Sequence, residues 1–138
     1  MLYIWNIEKI IQETLSGHNL DINYESNNQL TVPMSYNVSH NTIRFNYLRI
    51  NGYIAKLNIK ESNDSLVKII LYRVLGYYLD FKKNKHDTRI LMYGEDKEIE
   101  ELKDLIELNA WEFGRSLVPE ELLNSYDRVR ELDKLLIN

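Results

Sequence analysis

The apolar positions of this chain change period along its length, and the changes lay out one helix, a small sheet, and then helices to the end. Between residues 5 and 16, Ile7, Ile10, Ile11 and Leu15 recur at three- and four-residue steps, which predicts an amphipathic helix stopped by Gly17. Residues 20–25 alternate, with Leu20, Ile22 and Tyr24 on one side, so the period has become that of a strand. A turn at Ser26-Asn27-Asn28 leads to a second strand over 30–34, which Pro33 weakens or confines to an edge, and 35–41 reads as loop. Further strands are predicted at 42–47 and 53–59, joined through the tight-turn pair Asn51-Gly52.

The longer period then returns. Val67, Ile70, Leu71, Val74, Tyr78 and Phe81 predict a helix over 64–82, with Ser62, Asn63 or Asp64 as its N-cap. Residues 86–94 read as a connector, extended at 89–93. Ile99, Leu102, Ile106, Ala110, Phe113 and Leu117 mark a long helix over 97–116, and Pro119 opens a last one at 120–137, with Leu122, Leu123, Tyr126, Val129, Leu132 and Leu136 apolar. The expected fold is α+β: a mixed or antiparallel sheet of three to four strands against helices, closing with a C-terminal helical pair, in one domain over 1–138.

Composition narrows the function classes. The 138 residues suffice for a core without staples, and the absence of cysteine excludes a disulfide framework or a zinc ribbon. No signal peptide is visible, and the apolar run within 66–81 is broken by Lys68 and Arg73, so the chain reads as cytoplasmic with no membrane partner. A net charge of −4 argues against binding to phosphate backbones. The basic run Lys82, Lys83, Lys85, His86 and Arg89 reads as helix-end and loop charge. His18, His40 and His86, the three histidines, fall in predicted turns or loops, where a solvent-exposed ring is expected.

The chemistry-bearing segment is the helix at 64–82, with Leu71-Tyr72-Arg73-Val74-Leu75-Gly76-Tyr77-Tyr78 at its centre. A glycine inside a helix costs about 1 kcal/mol against alanine, so it marks a packing or site requirement. Further along stands Glu107-Leu-Asn-Ala110-Trp-Glu-Phe113-Gly114-Arg-Ser-Leu117-Val-Pro119. Together these resemble the ImmA/IrrE family of zinc metallopeptidases, which carries His-Glu-x-Gly-His on one helix and a third ligand on a later one. The resemblance extends over nearly the whole chain and implies a zincin-like arrangement of helices. Register on Gly76 puts Arg73 and Tyr77 at the two histidine positions, Val74 at the catalytic glutamate and Glu107 at the third ligand. The spacing from Phe113 to Pro119 is one residue shorter than the family pattern.

That register keeps a frame and removes its chemistry. Zinc needs two imidazoles at i and i+4 and a carboxylate to take the proton of bound water. Arg73 is a permanent cation, Val74 carries no proton, and Tyr77 is a weak ligand. No metal or other cofactor is expected. Two readings of Arg73 and Tyr77 stay open. They are a partly exposed pair beside the core, or the guanidinium stands where the metal would and pairs with Glu107. Glu107 has its own plain reading as one more solvated acid in a Glu-rich helix. Of the ten tyrosines, Tyr78 is expected in the core, with Tyr72 and Tyr77 presented to a partner.

The expected function is therefore a catalytically inactive peptidase-like protein, a regulator or inhibitor in a phage or mobile-element setting. Its binding residues would be Arg73, Tyr77, Glu107 and Tyr72, and its partner a repressor, host or defence protein. The alternative is an active metal-dependent peptidase that cleaves a repressor through a rearranged site of Glu107, His86 and other carboxylates. A third reading is a small structural or inhibitory subunit whose old cleft is filled.

Overall fold

The computed structural model describes residues 1–136. Its elements run α1 (Ile4–Gly17), β1 (Asn23–Ser26), β2 (Met34–Asn37), β3 (Thr42–Phe45), α2 (Tyr47–Leu57), α3 (Asn63–Lys83), α4 (Ile90–Tyr93), α5 (Asp96–Arg115) and α6 (Leu123–Leu136). A 3-10 turn at Glu120–Leu122 precedes α6. The architecture is α+β, with a three-stranded mixed sheet packed against helices and helices closing the chain. No helix among the described residues is long and apolar enough to cross a membrane.

The sheet has the order β1-β3-β2. Strand β3 is central, parallel to β1 and antiparallel to β2, and Ile43 and Phe45 on it are fully buried. Both outer strands are edges. The strand expected at 30–34 begins only at Met34, immediately after Pro33. Pro33 cannot donate to a ladder but accepts one bond, from the backbone N–H of Asn46 at 3.0 Å.

The largest departure from the sequence pattern is at 47–59. Tyr53, Ala55, Leu57 and Ile59 alternate as a strand would, and Asn51-Gly52 suits a hairpin, yet the segment is α2. The period-two signal was real but competed with a helical one, since Ile50 and Leu57 recur at helical spacing and are buried. Local polar bonds decide between them. Asn46 caps the helix by accepting from the N–H of Leu48 at 3.1 Å. Asn51 is no turn residue: its Nδ2 donates to the Tyr47 carbonyl at 2.8 Å, and its side chain ties both backbone groups of Leu2. Asn58 ends the helix in the left-handed region at φ 49°. The segment expected to be extended at 89–93 is likewise helical, as α4.

Helix α3 is the axis of the molecule and touches α1, α2, α5, α6 and β2. Ser62 is its N-cap, accepting from the N–H of Ser65 at 3.1 Å. Its crossing with α5 is unusually close because two glycines face each other. A methyl group on Gly76 would land on the Ala110 carbonyl and lie 2.5 Å from the Gly114 nitrogen. One on Gly114 would strike the Tyr72 carbonyl and lie 2.7 Å from the Tyr126 hydroxyl. The obstacles are mostly backbone and cannot rotate away. Gly76→Ala is therefore expected to destabilise the fold by about 3 kcal/mol or more. Gly52→Ala, whose added methyl group meets nothing within 4 Å on α2, should stabilise it by about 0.5–1 kcal/mol. Urea denaturation of the two variants side by side checks both signs.

Candidate functional site

Beside α3 lies a cleft of about 810 Å³, walled by α2, α3, α5, α6 and the β2 edge. Arg73, Val74 and Tyr77 line it from α3, and Glu107 and Trp111 from α5. Arg73 and Tyr77, four residues apart, share one face of the helix, as the pattern required. Arg73 donates to Glu107 twice, Nε to Oε1 at 3.3 Å and Nη2 to Oε2. The pairing of Arg73 with Glu107 is thus present, and both side chains are also partly exposed beside the core. The Trp111 indole N–H also donates to Glu107 Oε1, at 2.9 Å, and the guanidinium carbon stands 5.6 Å from the centre of its ring. Both carboxylate oxygens of Glu107 are thus engaged, and the pair is about a third exposed.

Tyr72 is a correction. It is 4% exposed and absent from the cleft lining, with its ring edge-on to His18 at 5.9 Å. A step of one residue turns a helical side chain by about 100°, so Tyr72 shares the α5-facing row of Gly76 and Asp80 rather than the row of Arg73 and Tyr77. Tyr77 does line the cleft, its ring tilted against Phe81 at 4.5 Å. Burial first, and then the Asp80 charge, push its hydroxyl pKa upward against the opposing influence of Arg73.

His86 is a second correction, because its ring is buried rather than solvated. Its Nε2 stands 2.8 Å from Asp80 Oδ2, with the imidazole 8% exposed and Asp80 fully buried. Asp80 also accepts from Asn84 and Asn109 at 2.9 and 3.0 Å, so the cluster pins the end of α3 to α5. His86 does not line the cleft, and the structure does not bring it together with Glu107. Among the described residues no three His, Cys, Asp or Glu side chains stand close enough to hold a metal ion. The donor set of the cleft therefore does not fit zinc. The basic run is spent locally: Lys82 reaches the Tyr78 hydroxyl, Lys83 lies over Phe113, and Arg89 pairs with Asp87.

Two cleft residues escaped the sequence reading. Tyr53 on α2 donates its hydroxyl to Asp133 Oδ1 on α6 at 2.5 Å, and Asp133 is 8% exposed. A signal for Asp133 existed: it continues the buried row Leu122, Tyr126, Val129 at helical spacing, so a carboxylate sits where an apolar residue belongs. Tyr53 was hidden by the mistaken strand. Burial pushes the Asp133 pKa up, aided by Glu107 and opposed by the Tyr53 hydrogen bond and Arg73. Burial and the Asp133 contact push the Tyr53 hydroxyl far up, so it remains a donor.

Comparison with protein-family models, with curated proteins and with solved structures finds no match.

Two measurements test that geometry. A double-mutant cycle of Arg73→Met and Glu107→Gln should give a coupling on the order of 1 kcal/mol, as for a partly exposed charged pair. The second concerns pH. With its pKa raised, Asp133 holds its proton more tightly in the folded state than in the unfolded one. Its contribution is fully present below the ordinary aspartate value of about 3.9 and is lost as pH climbs through the raised folded value. Asp133→Asn keeps the acceptor for Tyr53 and cannot ionise. The stability of the wild type relative to this variant should fall as pH rises across that window. A difference that stays flat in urea titrations from about pH 3 upward rejects it.

Proposed function

We propose that this chain is a peptidase-like protein of the ImmA/IrrE kind without hydrolytic activity, which acts by holding a segment of another protein in its cleft. One observation carries the reading. Arg73 and Glu107, the residues that the family pattern aligns with metal ligands, are hydrogen-bonded to each other on the α3–α5 wall of the cleft. A guanidinium cannot coordinate a metal, and it supplies the positive charge that an unpaired carboxylate there would otherwise lack. Val74 occupies the position of the base that would activate water, and it is an apolar side chain 2% exposed.

Binding is supported by the opposite wall. The Asn46-to-Pro33 bond makes 33/46, 35/44 and 37/42 the hydrogen-bonded pairs of the β2–β3 ladder. By alternation, Met34 and Tyr36 turn their backbone N–H and C=O away from β3, toward the unpaired edge. Met34 and Tyr36 both line the cleft. An extended segment lying there adds a strand to the sheet while its side chains reach into the cleft. A repressor, or a host or defence protein encountered in the cytoplasm by a phage or mobile-element product, suits such a role.

The alternative of an active metallopeptidase draws no support from the cleft, where Glu107 has no histidine beside it. Restoring the lost groups tests the proposal. The triple variant Arg73→His, Val74→Glu, Tyr77→His should bind zinc at about one equivalent, with the third ligand supplied by Glu107. Adding Glu107→Ala should weaken that binding at least tenfold. The unaltered chain should retain no stoichiometric metal after dialysis. A folded triple variant that takes up no zinc removes the family reading. Stoichiometric metal on the wild type, together with chelator-sensitive peptide cleavage, establishes the alternative instead.

A further inference from the structure

We propose that the segment held in this cleft is acidic: an extended stretch of a partner protein carrying two or more Asp or Glu side chains. This rests on the binding role above and names the chemistry of what is bound.

Five charged residues line the cleft: Arg49, Lys56, Arg73, Glu107 and Asp133. The two carboxylates are already answered, Glu107 by Arg73 and Trp111 and Asp133 by Tyr53. Of the three cations, only Arg73 is answered, by Glu107. Arg49 and Lys56 are exposed on α2 and make no hydrogen bond or ion pair among the described residues. Arg73 uses Nε and Nη2 on Glu107, which leaves Nη1 with no hydrogen bond among the described residues. The chain as a whole carries −4, so this local excess of unanswered positive charge runs against the overall balance.

The spacing argues for several acidic side chains rather than one terminal carboxylate. Arg49 and Lys56 are seven residues apart on one helix face, roughly 10 Å along its axis. Same-face side chains on an extended strand recur about every 7 Å, and the remaining difference of roughly 3 Å lies within the reach of the long Arg and Lys stems, so two acidic residues on one segment can each meet one cation. The mouth of the cleft also presents Val32 and Leu48, which are 44% and 53% exposed. Apolar exposure beside cations, next to an unpaired strand edge, favours a peptide over a nucleic acid.

The test selects random short peptides displayed on phage against the immobilised full chain and against Gly52→Trp. The added ring in that variant projects into the cleft from a position where a Cβ meets open space. Binding of the selected peptides is then measured by fluorescence anisotropy to Arg49→Glu and Lys56→Glu. Both are exposed positions, and thermal melting verifies that each variant folds. The expected result is enrichment of peptides with acidic residues at alternate positions, loss of binding to Gly52→Trp, and about tenfold weaker binding for each charge reversal. Peptides that need the open cleft but show no acidic bias overturn this inference and leave the protein-binding function standing. Selected peptides that bind Gly52→Trp undiminished, or no enrichment at all, overturn both. Displacement of the acidic peptides by a short single-stranded oligonucleotide at matched charge reassigns the cleft to nucleic acid and overturns the inference.

Discussion

Two glycines facing each other, Gly76 on α3 and Gly114 on α5, let the helices approach until backbone meets backbone, and the back wall of the cleft depends on that contact. Because the axes are so close, side chains on either side of the two glycines can meet directly. Arg73 reaches Glu107, and Asn109 reaches Asp80 at 3.0 Å. The contact also recruits α6. Tyr126 lies against Gly114 and donates its hydroxyl to the Trp111 carbonyl at 2.6 Å, while its ring packs edge-on to Trp111 at 5.3 Å. Trp111 in turn donates to Glu107. The placement of the ion pair is thus the end of a chain of contacts that begins with two missing methyl groups.

The charges in the cleft are not explained by stability. Replacing a partly desolvated ion pair by apolar side chains of similar volume is often neutral or favourable, so an Arg73–Glu107 pair adds little that leucines would not. The same holds for Asp133, whose burial opposes its ionised form. Polar groups are less costly than apolar ones to leave facing water beside an unpaired strand edge. Apolar residues at the same positions would favour closure of the walls. That balance is the one expected of the binding surface proposed above.

Much of this was legible in the sequence, and the failures have identifiable causes. The rows in α3 and α5 gave the helices within a residue or two at each end, and the positions of Arg73 and Glu107 offered their pairing as one of two readings. Three things were not legible. The helix α2 was lost because residues 53–59 satisfy period two as well as period 3.6, and the side-chain bonds that decide between them, Asn46 to Leu48 and Asn51 to Leu2, are invisible to a pattern. Tyr72 was assigned to the wrong face because a rich cluster of tyrosines was weighed by type rather than by angular position. His86 was assigned to solvent because loop position says nothing of a buried acceptor such as Asp80 four residues inside the helix end.

The misread helix turns out to govern the cleft. Arg49, Gly52, Tyr53 and Lys56 follow one another at i, i+3, i+4 and i+7, so a single face of α2 carries both free cations, the gap between them and the tyrosine that reaches Asp133. The Asn51 bonds fix this helix to the amino terminus at Leu2, and the Tyr53 bond fixes it to α6. Between these two ties α2 has little freedom to rotate, and a rotation of one residue step would carry the cations out of the cleft. The Tyr53–Asp133 contact thus aligns the charged face of α2 with the wall built by the two glycines. Neither group need touch a ligand to determine what the cleft can hold.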